Sequence, residues 1–199
     1  MGPLLVVAIT VGGGMVNPDL ASATQCEEWV AKVVSVEGTI EVRSADAPSW
    51  KTSAIGDTYC VGDTVRVPQW RAALVIKNET IIRLDAGSEI TFTEFKEEKP
   101  SWIELLKGMV HFLSRTPQRL TITTPFVNGT IEGTEFLIRV IEQEAQLWVF
   151  EGRVVLKNEF GTLPVVSAQS AVTHKGEAPQ RVIVVRPRDA VQWALYYPP

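Results

Sequence analysis

His111 and His174 are the two histidines, and Cys26 and Cys60 the two cysteines, of a 199-residue chain. Side chains suited to acid–base, nucleophilic or metal chemistry are therefore few. Acyl transfer needs a nucleophile, a base and a group that orients the base. His111 lies in the strand-like run Met109-Val110-His111-Phe112-Leu113, and His174 stands alone beside Lys175-Gly176. A lone histidine on a strand is ordinarily a tolerated or hydrogen-bonded residue, and as a metal ligand it would need carboxylates from elsewhere. The acidic residues are scattered one or two per turn, as on a solvated rim, and no pair is set at glycosidase separation by sequence alone. Two cysteines are too few for a disulfide framework or a four-ligand zinc site; they either form one bridge in an oxidising compartment or remain two unpaired thiols. The expectation is a chain that is not an enzyme, with no catalytic or metal residues and no cofactor.

Binding chemistry is better supplied. There are six tryptophans: Trp29, Trp50, Trp70, Trp102, Trp148 and Trp193. Trp70 in Pro68-Gln69-Trp70-Arg71 and Trp102 in Lys99-Pro100-Ser101-Trp102 are predicted to sit in loops, where an aromatic side chain anchors an interface or stacks on a sugar. The structural alternative is a tryptophan folded back over a sheet edge. Trp193 joins them as a candidate contact through its place in an apolar terminus. Asn78-Glu79-Thr80 and Asn128-Gly129-Thr130 match a glycosylation acceptor, a triplet that chance supplies often.

Nineteen basic and twenty-three acidic residues give a net charge of −4, and the pI is near 5.3. Nucleic-acid binders usually carry a basic stripe, so neither DNA nor RNA is an expected partner. With 45% hydrophobic residues and a mean hydropathy of +0.08, the chain can bury one sizeable core, and its length favours one domain.

Residues 1–23 read as a signal peptide. Leu4 to Val11 is apolar, and Ala21-Ser22-Ala23 is the small-x-small pattern cut by signal peptidase. No Lys or Arg precedes Lys32, as expected if the start falls inside a longer leader. A membrane anchor is the weaker reading, because Gly12-Gly13-Gly14 interrupts the run short of the roughly 20 residues a bilayer requires. The expected mature chain begins at Thr24, has no spanning segment, and is periplasmic or extracellular.

From Val33 the pattern is strands and turns. Val34, Val36, Ile40 and Val42 share one parity, with Gly38 as a break or bulge. Alternation returns at 64–67, 73–77, 81–84, 89–95, 120–123, 136–140 and 147–150, separated by turns at Gly62-Asp63, Asp85 to Ser88, Glu142 to Glu144 and Glu151-Gly152, among others. Short strands at about ten-residue spacing argue for an all-β sandwich, barrel or solenoid. Helix signals are confined to a short stretch, Ala23 to Lys32, and to the end, where Pro187 opens Arg188 to Tyr197 and Pro198-Pro199 stops it. So apolar a terminus suggests a segment that docks, or a chain cut from something longer.

Several turns carry a recognisable pattern in order: Gly62-Asp63-Thr64-Val65-Arg66, Asp85-Ala86-Gly87-Ser88-Glu89-Ile90, Thr124-Pro125, Gly133-Thr134, and Gly152-Arg153-Val154. Together, over residues 34 to 173, they resemble the signature of the FecR domain family. Ala168-Gln169-Ser170-Ala171-Val172 matches that family's closing pattern without its glycine. Gly62, Asp63, Gly87, Ser88, Thr124, Pro125, Gly133, Thr134 and Gly152 read as structural: Asp63 bonding turn amides, Pro125 closing a strand, Gly133 allowing close backbone approach. The resemblance implies an all-β fold of short antiparallel strands, a FecR-like β-solenoid or sandwich over residues 24–185. Residues 186–199 would then be a short C-terminal helix, or a junction into a missing repeat region, often of tetratricopeptide type.

Members of that family are bacterial and act mostly outside the cytoplasm. The best-understood ones sense a loaded iron-siderophore receptor through its signalling domain and regulate a cytoplasmic sigma factor. This sequence has no cytoplasmic anti-sigma segment, and is more similar to exported members in which the domain follows a signal peptide. The leading expectation is an exported, non-enzymatic interaction or signalling module of the bacterial envelope. Its partner would be an envelope protein such as a receptor signalling domain. The alternative is a carbohydrate or cell-wall binder using loop tryptophans.

Overall fold

The computed structural model describes residues 2, 28–77, 79–94, 101–183 and 187–195. Its strands are β1 (Ala31–Arg43), β2 (Lys51–Ser53), β3 (Thr58–Tyr59), β4 (Thr64–Ile76), β5 (Ile81–Leu84) and β6 (Glu89–Glu94), followed by β7 (Ser101–Thr123), β8 (Asn128–Ile141), β9 (Glu144–Asn158), β10 (Gly161–Val166), β11 (Gln169–His174) and β12 (Gln180–Val182). A 3-10 turn, Pro187–Val191, leads into helix α1, Gln192–Leu195. The fold is all-β. One twelve-stranded sheet runs in the order β12-β11-β9-β8-β7-β5-β4-β1-β2, with β10 on β9, β3 on β1, and β6 joining β4 to β7.

Every strand pair is antiparallel. The inward residues form one core cluster, within which the Phe112 and Phe136 rings stack at 4.5 Å and Tyr59 stacks on Phe92 at 6.1 Å. Each fully buried aliphatic or aromatic side chain there contributes about 1.5–3 kcal/mol.

Several strands are longer than the alternation predicts, because bulges continue them where the sequence suggests turns. β4 runs unbroken through Pro68 to Arg71, so Trp70 is a strand residue rather than a loop residue, and Trp102 lies in β7. β9 likewise continues through Glu151-Gly152, the site of an expected turn. Inward residues change there from Ala145, Leu147 and Val149 to Val154 and Leu156, a switch of parity that only an irregular backbone allows. A register shift between Val33 and Ser35 corrects the expected face of β1 in the same way: Val33 is buried and Val34 exposed. Ala31 and Lys32, assigned to a short helix by sequence, begin β1 instead; the rest of that stretch up to Glu27, and the expected signal peptide apart from Gly2, lie outside the described residues.

Candidate functional site

Among the described residues, those singled out by motif are spread over separate turns and strand crossings. Most shape the backbone there. Asp63 accepts from the Cys60 amide at 2.8 Å and the Ala45 amide at 3.3 Å; burial still holds its carboxyl above the ordinary range, outweighing those two amides. Gly62 donates to the Phe92 carbonyl at 2.6 Å. Ser88, fully buried, donates its hydroxyl to the Met109 carbonyl at 2.9 Å and accepts from the Met109 amide at 3.0 Å, while Gly87 donates to Val67.

Between β7 and β8, Thr124 closes the turn: its hydroxyl donates to the Val127 carbonyl at 2.7 Å and accepts from the Val127 amide at 3.0 Å, with Pro125 exposed at the tip. Gly133 faces Gly152 across β8 and β9, and Ser167 bonds the Gly152 amide at 3.0 Å. The register of β8 against β9 shifts between Gly133 and Glu135. The Thr134 side chain lies outside the described atoms.

A second set of residues lies on the outer face of the sheet. Cross-strand pairing lines up Ala73, Arg83, His111, Leu137, Trp148 and Ser170 in one row. His111 is 1% exposed and Leu137 fully buried, yet Leu137 is not part of the main core cluster. An outer row is buried only if something covers it. The cover is residues 187–195, whose Val191 and Ala194 are fully buried and also separate from that core. At one end the Arg188 guanidinium lies 5.7 Å from the centre of the Phe150 ring; at the other, Arg71 donates to the Trp193 carbonyl at 2.8 Å and lies 5.9 Å from its ring centre.

Charges are matched beneath this segment. Arginine is only a donor, so the 3.5 Å contact from Arg83 makes His111 Nδ1 the acceptor. Its Nε2–H then donates to Glu135 at 3.1 Å. Burial holds the imidazole below its ordinary pKa. Hydrogen bonding from His111 is the main cause of the lowered Glu135 pKa, with Arg188 and Arg83 adding to it. His111 is thus a neutral, oriented residue in a filled row. The indole N–H groups of Trp148 and Trp193 are buried without an acceptor among the described residues. Each such group costs about 1–3 kcal/mol, comparable to what burying Val191 contributes.

Residues 63–155 match the family model described as FecR protein. The chain contains a FecR domain. No curated protein matches the chain. Among solved structures, two crystal structures of a candidate anti-sigma factor from Parabacteroides distasonis ATCC 8503, at 2.50 Å and 1.65 Å, share the fold at a TM-score of 0.54 and 11% identity. The likeness covers 60% of this chain and 59% of that one. Strands on both sides of the FecR match, β1 to β3 and β10 to β12, complete the same sheet.

The tryptophans are dispersed over the FecR sheet. Trp70 is 66% exposed and lies against Gly38, where a Cβ would come within 2.6 Å of its Cδ1. Both residues have left-handed backbones, φ +68° and +83°, which is unusual for a bulky side chain. Trp193 is half-buried in the covering segment, and the Trp102 side chain lies outside the described atoms. Trp50, half-buried, carries the Arg66 guanidinium at 4.0 Å from its ring centre, and that arginine also pairs with Glu41.

Sequence reading missed the partners of the histidines. Glu135 meets His111 from 24 residues away, and Glu144 meets His174 at 3.1 Å. Only strand register brings these pairs together. Cys60 is disulfide-bonded, which removes the reading of two unpaired thiols; Cys26 lies outside the described residues. Among the described residues there is no group of three or more potential metal ligands, and no helix long and apolar enough to cross a membrane.

Proposed function

We propose that this chain is an exported, non-enzymatic interaction module of the bacterial cell envelope, which senses or signals by binding another protein through its FecR domain. The observation that carries the reading is where the motif residues are spent. Asp63, Ser88, Thr124 and the pair Gly133 and Gly152 are consumed in turns and strand crossings, so specificity falls to the surface of the sheet. A regulatory role agrees with the candidate anti-sigma factor that shares the fold, and makes a receptor or its signalling domain the kind of partner to seek. Export is supported by the disulfide at Cys60, since such bonds persist in oxidising compartments, and by the leader-like residues 1–23.

Affinity capture from an envelope extract tests this, with the full chain as bait and the unfolded Ile131→Asp, Phe136→Asp variant as control; both positions are core. Recovery of one protein by the folded bait alone is expected. Recovery of none, together with a glycan-dependent change in tryptophan fluorescence, would replace the reading with carbohydrate binding through exposed Trp70.

A further inference from the structure

The row of the outer face beneath residues 187–195 has the makings of a receptor for a helix. Resting on the interaction reading above, we propose that this row is a docking surface for a short helix of the partner protein, and that the C-terminal segment is its displaceable intramolecular occupant.

Three features carry this. The first is periodicity: Arg188, Val191 and Ala194 recur every three residues through the 3-10 turn and into α1, a spacing that keeps side chains near one face, and Val191 and Ala194 are fully buried while Arg188 reaches the Phe150 ring. The second is how the segment is held. Arg71 bonds a main-chain carbonyl, that of Trp193. Every helix ends in carbonyls without intrahelical partners and gathers negative charge there, so Arg71 would receive the end of another helix as readily.

The third feature is an imperfect fit. Trp148 stands two residues from Phe150 on β9, and its buried indole N–H finds no acceptor among the described residues. A partner helix with small apolar residues three apart, a basic residue one turn earlier and a hydrogen-bond acceptor over Trp148 would meet a need the resident segment leaves open. The chain leading from β12 to the segment starts at Ile183, which is 97% exposed.

The test uses the full chain carrying Val191→Asp and Ala194→Asp, which unseat the segment, and a fluorescein-labelled peptide of residues 187–195 followed by anisotropy. Saturable binding to this variant is expected, at least ten-fold weaker binding to the unmodified chain, and a further loss when Arg71→Ala is added to the variant. Equal binding to both chains, or none to an unseated variant that keeps cooperative unfolding, would overturn the proposal.

Should the variant not fold, amide exchange in the unmodified chain decides. Residues 191–194 should exchange at least a hundred-fold faster than the centre of β8, and exchange as slow as β8 would overturn the proposal. Envelope capture by the unmodified chain without peptide binding to the unseated variant would defeat this proposal and leave the interaction reading standing.

Discussion

Gly152 lies directly opposite Gly133 across β8 and β9, so close that a methyl group on Gly152 would overlap the Gly133 Cα, and one on Gly133 would fall 2.7 Å from the Glu151 carbonyl. Gly152 also has φ +92°. This crossing accompanies the change in inward parity of both strands, which sends Leu137 to the outer row while Phe136 stays in the core. Gly152→Ala is therefore expected to cost about 2–4 kcal/mol, left-handed backbone and overlap adding together. Gly87→Ala, at φ +77° with open space around it, should cost about 1 kcal/mol. Urea unfolding midpoints of the two variants compare them; equal losses would mean that the close approach is unimportant.

Ser88 ties the turn between β5 and β6 to β7 by serving both main-chain polar groups of Met109. Ser88→Ala removes both bonds inside the fold, and a loss of about 1–3 kcal/mol is expected. Chemical denaturation measures it, and a change under about 0.5 kcal/mol would show that the Met109 groups find other partners.

Ala168 occupies a left-handed position, φ +64°, in the turn between β10 and β11, and its amide donates to the Val149 carbonyl at 2.9 Å. The FecR pattern has a glycine in this stretch that the chain lacks. Ala168→Gly should raise stability by about 0.5–1 kcal/mol, relief of the backbone exceeding the added freedom of the unfolded chain. A lower thermal midpoint for the variant would contradict this.

Acid should weaken the row beneath residues 187–195. Burial holds the folded-state pKa of His111 below 6.5, so as pH falls through 6.5 the unfolded chain takes up a proton that the folded chain refuses, and stability declines. The lowered pKa of Glu135 acts in the same direction: its contribution is present above 4.5 and lost as pH falls through its folded value. The urea midpoint is expected to fall between pH 7.5 and 5.5, and His111→Gln should reduce that fall. An unchanged fall in the variant would assign the effect to other groups.

The all-β class was legible from alternation, and the positions of β5 and β6 from their turn residues. Alternation could not register the bulges. A strand with an irregular residue looks like two strands with a turn between, so Gly152 has the sequence signature of a turn and Trp70 that of a loop. The outer row was invisible for a different reason: His111, Glu135 and Arg188 lie on three elements far apart in sequence, and only register and the return of the C-terminal segment assemble them. The apolar residues Val191, Trp193 and Ala194 suggest a docking segment or a cut chain, and the sequence does not choose between them or show the row onto which residues 187–195 fold.

In the proposed reading the FecR motif residues are scaffold and recognition falls to the surface of the sheet. The affinity of the captured envelope protein for the purified chain and for Gly87→Ala, a motif position where an added methyl group meets open space, tests that reading most directly. The folded variant should bind within about two-fold of the unmodified chain. A folded Gly87→Ala protein that loses binding ten-fold or more would make the motif itself the site.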